Sequence, residues 1–289
     1  MHIGIVGLGV MGKAFASNLL DAGHKVFFWN RNELDKKRFT DKGGIFCENT
    51  LEVFEKSEII LSVLSNDQSY EDVFLNSELI DKIPKNKIHC NMATISVACH
   101  KKLHLLHNLR EQYYIASPVL GNSTFAEKKL IHILAAGNNE IIKHYESIFL
   151  TLGKTLRIVG DLPEYAAILK IAINYLLCSA VTSLSEAHAL VSSYSIPAII
   201  LQEIIDNTFL GSPAYQLYGN KIVNSQFEPA AFRMDLALKD LKLFIDSKLN
   251  SKIDFPLSEV LIDRLELVVK SGNNFKDLSA LFLLYQTKN

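Results

Sequence analysis

Cysteine is scarce. Cys47, Cys90, Cys99 and Cys178 are the only four in 289 residues, and no two show C-x-x-C spacing. This argues against a disulfide framework and for buried thiols in a reducing compartment. Excess charge is also missing. The net charge is −1 with 21% charged residues, so no basic field exists to hold nucleic acid. Repeats, low-complexity tracts and nucleophile motifs such as G-x-S-x-G are absent. The first apolar run begins at Ile3, which leaves no room for a leader and points to the cytoplasm. Ala166–Leu184 has the length of a membrane span, but Lys170 and Asn174 stand in its first half. A charge inside a bilayer is expensive, so this run reads as a buried helix of a soluble protein with no membrane partner.

What is present starts at once. Residues 3–7 are a short apolar run that feeds Gly7-Leu8-Gly9-Val10-Met11-Gly12, and a helical pattern follows from Met11 to Ala22. The spacing is G-x-G-x-x-G, with a second strand at Lys25–Trp29. One glycine permits the tight turn, the next lets backbone N–H groups approach a pyrophosphate, and the third lets helix pack on strand. A dinucleotide site is expected there. The next strand ends in Asn30-Arg31-Asn32, with no acid at its end and Glu33 the nearest. An acid in that place would accept from a ribose 2′-hydroxyl; an arginine pairs with a 2′-phosphate. Asn30, Arg31 and Asn32 therefore point to NADPH/NADP+.

The first half alternates strand and helix. Strands are expected at 45–47, 59–64, 88–92, 114–119, 131–135 and 155–159, with helices at 33–42, 50–56, 68–75, 97–112 and 139–151. That order predicts a Rossmann-type, doubly wound α/β sheet, mostly parallel, with later strands free to add in a mixed arrangement. From Glu164 onward the periodicity is helical throughout: 166–194, 197–208, 214–224, 231–248, 256–271 and 278–286. The expected domains are 1–162, binding the dinucleotide, and an all-α domain at 163–289. The helix after the boundary is about 40 Å long, enough to run between domains and line a cleft.

With these residues in view, the chain resembles the β-hydroxyacid dehydrogenase family, which includes 3-hydroxyisobutyrate dehydrogenases and glyoxylate/succinic semialdehyde reductases. The glycine loop, Asn18-Leu19-Leu20 and Gly23-His24-x-Val26 look like its first βαβ unit, and Trp29-Asn30-Arg31 like its NADP-preferring members. Leu64-Ser65-Asn66 and Ala93-Thr94-Ile95-Ser96 fall where the family has loops against ribose and nicotinamide. Ser117-Pro118-Val119-Leu120-Gly121-Asn122 is similar to its substrate loop, and His132–Gly137 to the glyoxylate reductase branch. Lys170-x-x-x-Asn174 matches the catalytic helix; Phe232 and Lys239-Asp240 match a late segment.

The resemblance implies hydride transfer between a nicotinamide and the carbonyl of a small aldehyde or keto acid. Lys170 would be the proton donor, and Asn174 one turn on would hold the substrate oxygen. Leu120, Gly121 and Asn122 would bind substrate. Leu64, Ser65, Asn66, Thr94, Phe232 and Lys239 would face the cofactor. On the residues alone, Lys170 reads first as a snorkelling or paired structural lysine, Lys239 also as an exposed helix lysine and Phe232 equally as a core residue. An ammonium in an apolar helix is desolvated, which favours proton transfer near neutral pH. The resemblance also implies a homodimer through the helical domain.

The pattern departs from the family in three places. Leu120 stands for a serine, Glu164-Tyr165-Ala166 for a glycine pair, and Val97 and Ala93 for a proline and a serine. A lost hydroxyl donor weakens carboxylate recognition by about 0.5–1.5 kcal/mol, and Glu164 brings negative charge near the expected site. Imine reduction, or a catalytically silent NADPH-binding module, are the other readings. His100, His104 and His107 lie at i, i+4 and i+7, but with Lys101, Lys102 and Arg110 around them they read as a solvated helix face, not a metal site.

Overall fold

The computed structural model describes residues 1–32, 36–249 and 253–286, and the chain divides into two compact units, Met1–Lys170 and Ile171–Asn289. In the first unit β1 (His2–Val6) leads into α1 (Val10–Asp21), β2 (Lys25–Trp29), α2 (Lys36–Thr40), β3 (Ile45–Phe46), α3 (Thr50–Lys56) and β4 (Ile59–Ser62). Then come α4 (Asp67–Tyr70), α5 (Leu79–Lys82), β5 (Ile88–Asn91), α6 (Val97–Leu109), β6 (Tyr113–Ala116), β7 (Val119–Leu120) and α7 (Ser123–Glu127). The unit closes with β8 (His132–Ala136), α8 (Asn139–His144), α9 (Glu146–Leu152), β9 (Thr155–Gly160) and the start of α10 (Pro163–Ser193).

The strands form one sheet in the order β3-β2-β1-β4-β5-β6-β8-β7, with β9 beside β8. The pairs from β3 to β6 are parallel. β8 then runs antiparallel to β6 and β7, so the sheet is mixed at one edge. Successive strand side chains point to opposite faces, and two cores follow. Ile3, Ile5, Ile59 and Leu61 meet Phe15 and Leu19 of α1 and Phe149 of α9 on one face. Val6 and Ile60 meet Phe54 of α3 and Leu103 of α6 on the other. Both faces are covered, so β4 is buried along its length and reads as a continuous apolar run.

Several expected helices are subdivided. The 68–75 segment is α4 followed by a wider turn at Glu71–Leu75. The 139–151 segment breaks at Tyr145, whose backbone leaves the helical region between α8 and α9. Residues 33–35 of the expected 33–42 helix lie outside the described residues. The short helices α5 and α7 carry no periodicity long enough to be read in advance.

The three-histidine pattern on α6 is a clear correction. His100 and His107 are fully buried, not solvated. α6 packs this face onto β6, where His100 Nδ1 lies 2.9 Å from the Tyr114 hydroxyl and the His107 ring stacks on Tyr114. His107 also reaches His89 of β5 at 2.9 Å. Among the described residues no group of three or more metal-ligating side chains forms a candidate site.

α10 continues into the second unit, followed by α11 (Ala198–Asp206), α12 (Pro213–Val223), α13 (Met234–Asp246) and α14 (Pro256–Val268), with a final tight turn at Leu278–Leu284. Cys178, Val181 and Leu184 of α10 share one core with Ile205, Ile222, Leu241, Leu265 and Leu281. By length and composition alone α10 could cross a membrane. Yet Lys170, Asn174, Thr182, Ser185 and His188 are buried along it, and four free cysteines are buried in the chain as a whole. The unit boundary falls inside α10, beyond the expected loop, because Ala166 packs with Ala116, Leu134 and Ala136 of the sheet.

Burial holds His100 down to about 3, His107 to about 4 and His89 well below the usual histidine value. An unfolded histidine takes up a proton below about 6.5 that the folded one refuses, so this stability is complete above that pH and is lost as pH falls. At pH 5 the loss is roughly 2 kcal/mol for each of His100 and His107. Urea midpoints measured at pH 8 and pH 5 check this; an unmoved midpoint would refute it.

Candidate active site

The three glycines of the loop do three different things. Gly7 has φ +99°, and a Cβ there would stand 2.6 Å from Val63 O and 2.9 Å from Leu64 Cδ2. Gly12 sits against the loop itself: its Cβ would fall 2.0 Å from Gly7 O. A Cβ on Gly9 would meet nothing within 4 Å. Gly9 is thus open where Gly7 and Gly12 are closed in. Beside it Val10 is 68% exposed, and the first turn of α1 carries no acid. Free N–H groups with an open approach make an anion cradle, and the residues present fit a pyrophosphate.

Asn30 turns out to brace this loop. Its Oδ1 accepts from Leu8 N at 2.9 Å, and its Nδ2 donates to Asn32 O and Oδ1, both at 2.9 Å. The Gly7 N–H donates to Trp29 O at 2.9 Å. The end of β2 and the glycine loop are therefore one hydrogen-bonded body, while Arg31 beside them is exposed. Leu8 is buried and Met11 half-buried against the core.

The next two loops leave the neighbouring strand ends. After β4, Leu64 lies against Gly7, Ser65 Oγ is 3.0 Å from Ser69 Oγ, and Asn66 caps α4 by accepting from Ser69 N at 3.0 Å. After β5, Thr94 is half-buried and Ser96 caps α6, accepting from Cys99 N at 3.0 Å. Asp67 Oδ1 accepts from Ser96 N at 2.9 Å, tying one loop to the other.

The third loop follows β7. Gly121 has φ +133° and Asn122 caps α7, its Oδ1 accepting from Phe125 N at 3.0 Å. The amide expected to meet substrate thus serves the helix. Leu120 packs on the cluster of Ala116, Leu134, Ala136 and Ala166. Two departures from the family pattern, Leu120 and Ala166, therefore share one apolar cluster. Glu164 carries less free charge than its position suggested: Lys101 Nζ is 3.8 Å from it. Tyr165 lies over Gly160, where an added Cβ would stand 2.5 Å from its ring.

Lys170 is 9% exposed and Asn174, one turn on along α10, is 5% exposed. In the second unit Asn174 Nδ2 donates to Asp240 Oδ2, and Lys239 Nζ stands 3.0 Å from Asp240 Oδ1. Asp240 joins the two expected site residues and is the one that sequence reasoning passed over. Its signal was present: it lies in the buried stripe of α13 with Met234, Ala237 and Leu241. An acid inside an apolar stripe needs a partner. Phe232 is half-buried against the helical core, and Asp277 Oδ2 accepts from its N–H at 3.3 Å.

The family of NAD-binding domains of 6-phosphogluconate dehydrogenase matches residues 2–160, and that of the NAD-binding region of NADP-dependent 3-hydroxyisobutyrate dehydrogenase matches 165–285. The chain belongs to the β-hydroxyacid dehydrogenase family. It is thereby an oxidoreductase of the 3-hydroxyisobutyrate dehydrogenase type with a nicotinamide cofactor. An uncharacterized oxidoreductase, YfjR of Bacillus subtilis, is 31% identical over 97% of this chain and 98% of its own length. Glyoxylate/succinic semialdehyde reductase 1 of Arabidopsis thaliana is 26% identical over 97% of this chain and 97% of its own length. The solved 3-hydroxyisobutyrate dehydrogenase of Mycobacterium tuberculosis shares the fold, with a TM-score of 0.89 at 18% identity over 99% of each chain.

The glycine geometry separates fold from binding. Gly9→Ala should leave the thermal midpoint unchanged and weaken dinucleotide binding about tenfold or more, because only the cofactor needs that space. Gly12→Ala should lower both, since overpacking costs roughly 1–3 kcal/mol. Thermal unfolding beside a fluorescence titration reads each effect; equal behaviour of the two variants would contradict it.

Proposed function

We propose that the chain is an NADPH-dependent reductase of small aldehydes or keto acids, of the glyoxylate or succinic semialdehyde kind. The observation that carries the reading is the buried Lys170 on α10, one turn from Asn174, in a chain whose glycine cradle is open at Gly9. The named activity of the Arabidopsis relative supports the substrate class. Arg31, exposed beside the braced glycine loop, supports the phosphorylated cofactor.

When bound, a reduced nicotinamide supplies the hydride that reaches a carbonyl carbon. This chain's residues supply the rest. The Lys170 ammonium gives its proton to the carbonyl oxygen as that oxygen becomes a hydroxyl. Asn174, its amide oriented by Asp240, holds that oxygen. Gly121 and Asn122 belong to the loop that the family resemblance assigns to the substrate, and Leu120 seats that loop on the apolar cluster of Ala116, Leu134, Ala136 and Ala166. The loop lacks the serine hydroxyl that would help hold a carboxylate, which is the ground for imine reduction as the alternative. Retention of Lys170, where imine reductases usually carry Asp or Tyr, favours the carbonyl reading.

A homodimer through the helical unit belongs to the same proposal. Leu176 of α10 is 63% exposed and Ile204 of α11 is 56% exposed, apolar side chains that a second copy could cover.

NADPH consumption across a panel of small aldehydes, keto acids and cyclic imines tests the reaction. Lys170→Ala should abolish turnover while NADPH still binds; near-normal turnover would sink the mechanism. Arg31→Ala should raise the KM for NADPH by roughly tenfold and leave that for NADH unchanged. Equal effects on both cofactors would remove the 2′-phosphate assignment.

A further inference from the structure

β4, β5 and β6 end side by side, with Ser62 paired to Asn91 and Asn91 to Ala116. Beneath these ends runs a chain of buried side chains. Gln112 Oε1 is 2.7 Å from His107 Nδ1, and His107 Nε2 is 2.9 Å from His89 Nδ1. His89 Nε2 is 2.7 Å from Ser62 Oγ, and Ser62 Oγ is 2.9 Å from the Tyr70 hydroxyl. That hydroxyl donates to Asn91 Oδ1 at 2.9 Å.

The protons in this chain can be counted, because backbone groups fix both ends. Gln112 Nε2 donates to Ile80 O and Ile83 O at 3.0 and 2.7 Å, so its Oε1 accepts from His107. Ala93 N donates to Asn91 Oδ1 at 2.9 Å, so that atom is an oxygen too. Two acceptors therefore terminate the chain. Between them lie five contacts, and His107, His89, Ser62 and Tyr70 bring one proton each while the rings are neutral. Burial keeps both rings neutral. The chain is one proton short, and one close contact always lacks its donor.

Buried polar networks normally satisfy every member. A phenylalanine at position 70 would do so here: it leaves the contacts Gln112–His107, His107–His89 and His89–Ser62, with a proton for each. Folding alone does not call for the Tyr70 hydroxyl. Local conflicts of this kind concentrate where function demands them. The hydroxyl's other partners show which function. It joins Ser62, at the foot of the loop after β4, to Asn91, whose Oδ1 also holds Ala93 of the loop after β5.

We propose that Tyr70 is a positioning residue: its buried hydroxyl clamps the Val63–Asn66 and Met92–Ser96 loops in the register that receives the nicotinamide dinucleotide. This rests on the reading of those loops as cofactor-facing. Asp67 ties the same loops at their rim, through Ser96 N; Tyr70 ties them at their root.

Titration of the wild-type chain with NADPH and with NADH, followed by fluorescence, comes first. Failure of both to bind overturns the cofactor reading of the loops itself. With wild-type binding in hand, Tyr70→Phe should weaken the Kd for NADPH roughly three- to tenfold, the worth of one hydrogen bond, while the thermal midpoint stays within about 2 °C. Ser62→Ala also relieves the proton shortage but leaves the Tyr70–Asn91 bond in place, so its Kd should stay within about twofold. Wild-type affinity in Tyr70→Phe, or an equal loss in Ser62→Ala, overturns the assignment. A Tyr70→Phe chain that fails to fold overturns it as well, because the proton count makes the hydroxyl dispensable to the fold.

Discussion

The approach of α1 to the turn after β1 is the constraint on which the first unit depends. With a Cβ position on Gly12 only 2.0 Å from Gly7 O, no side chain fits between helix and turn. The helix start is thereby pressed against the strand end, and its free N–H groups face outward at Gly9. Everything else about the cradle is support for that placement. Val63 and Leu64 fill the space behind Gly7, and Asn30 takes the Leu8 N–H. The position of a loop that must meet a pyrophosphate is decided by backbone packing, and side chains hold it there.

This explains why the cradle was legible in the sequence and much of its surroundings was not. Glycines at fixed spacing after an apolar run leave few alternatives, and the alternation of strand and helix leaves few sheets. Burial of polar residues gives no such pattern. His100 is followed by two lysines and Arg110 lies just past His107, yet the approach of Tyr114 on β6 and His89 on β5 makes their face an interior one. Asn30 was read by its exposed neighbour Arg31, yet its amide serves Leu8, twenty-two positions earlier. Asp240 was visible as an acid in an apolar stripe and was passed over for the lysine beside it. In each case the deciding partner is distant in sequence, and composition cannot name it.

The second unit solves a related problem with charge. Asp240 and Asp277 are both buried, and a buried carboxylate is tolerated only when its oxygens are occupied. Asp277 accepts from Ala231 N, Phe232 N and Ser279 N, so it organises backbone. Asp240 accepts from Asn174 and pairs with Lys239, so it organises side chains. The first arrangement is what a turn needs; the second orients an amide on α10 and sets a cation next to it.

Two of the departures from the family pattern, Leu120 and Ala166, meet in one apolar cluster. A serine-to-leucine exchange in a substrate loop would by itself leave an apolar side chain facing polar surroundings. Leu120 instead rests on the small residues Ala116 and Ala136 and on Ala166, which stands for a glycine. Ala166 is fully buried, so its methyl group is part of the surface that receives Leu120. Tyr165 closes over Gly160 in the same stretch, and Glu164 is drawn toward Lys101. The matching seats this loop by shape and dispersion where the family pattern has a hydroxyl donor.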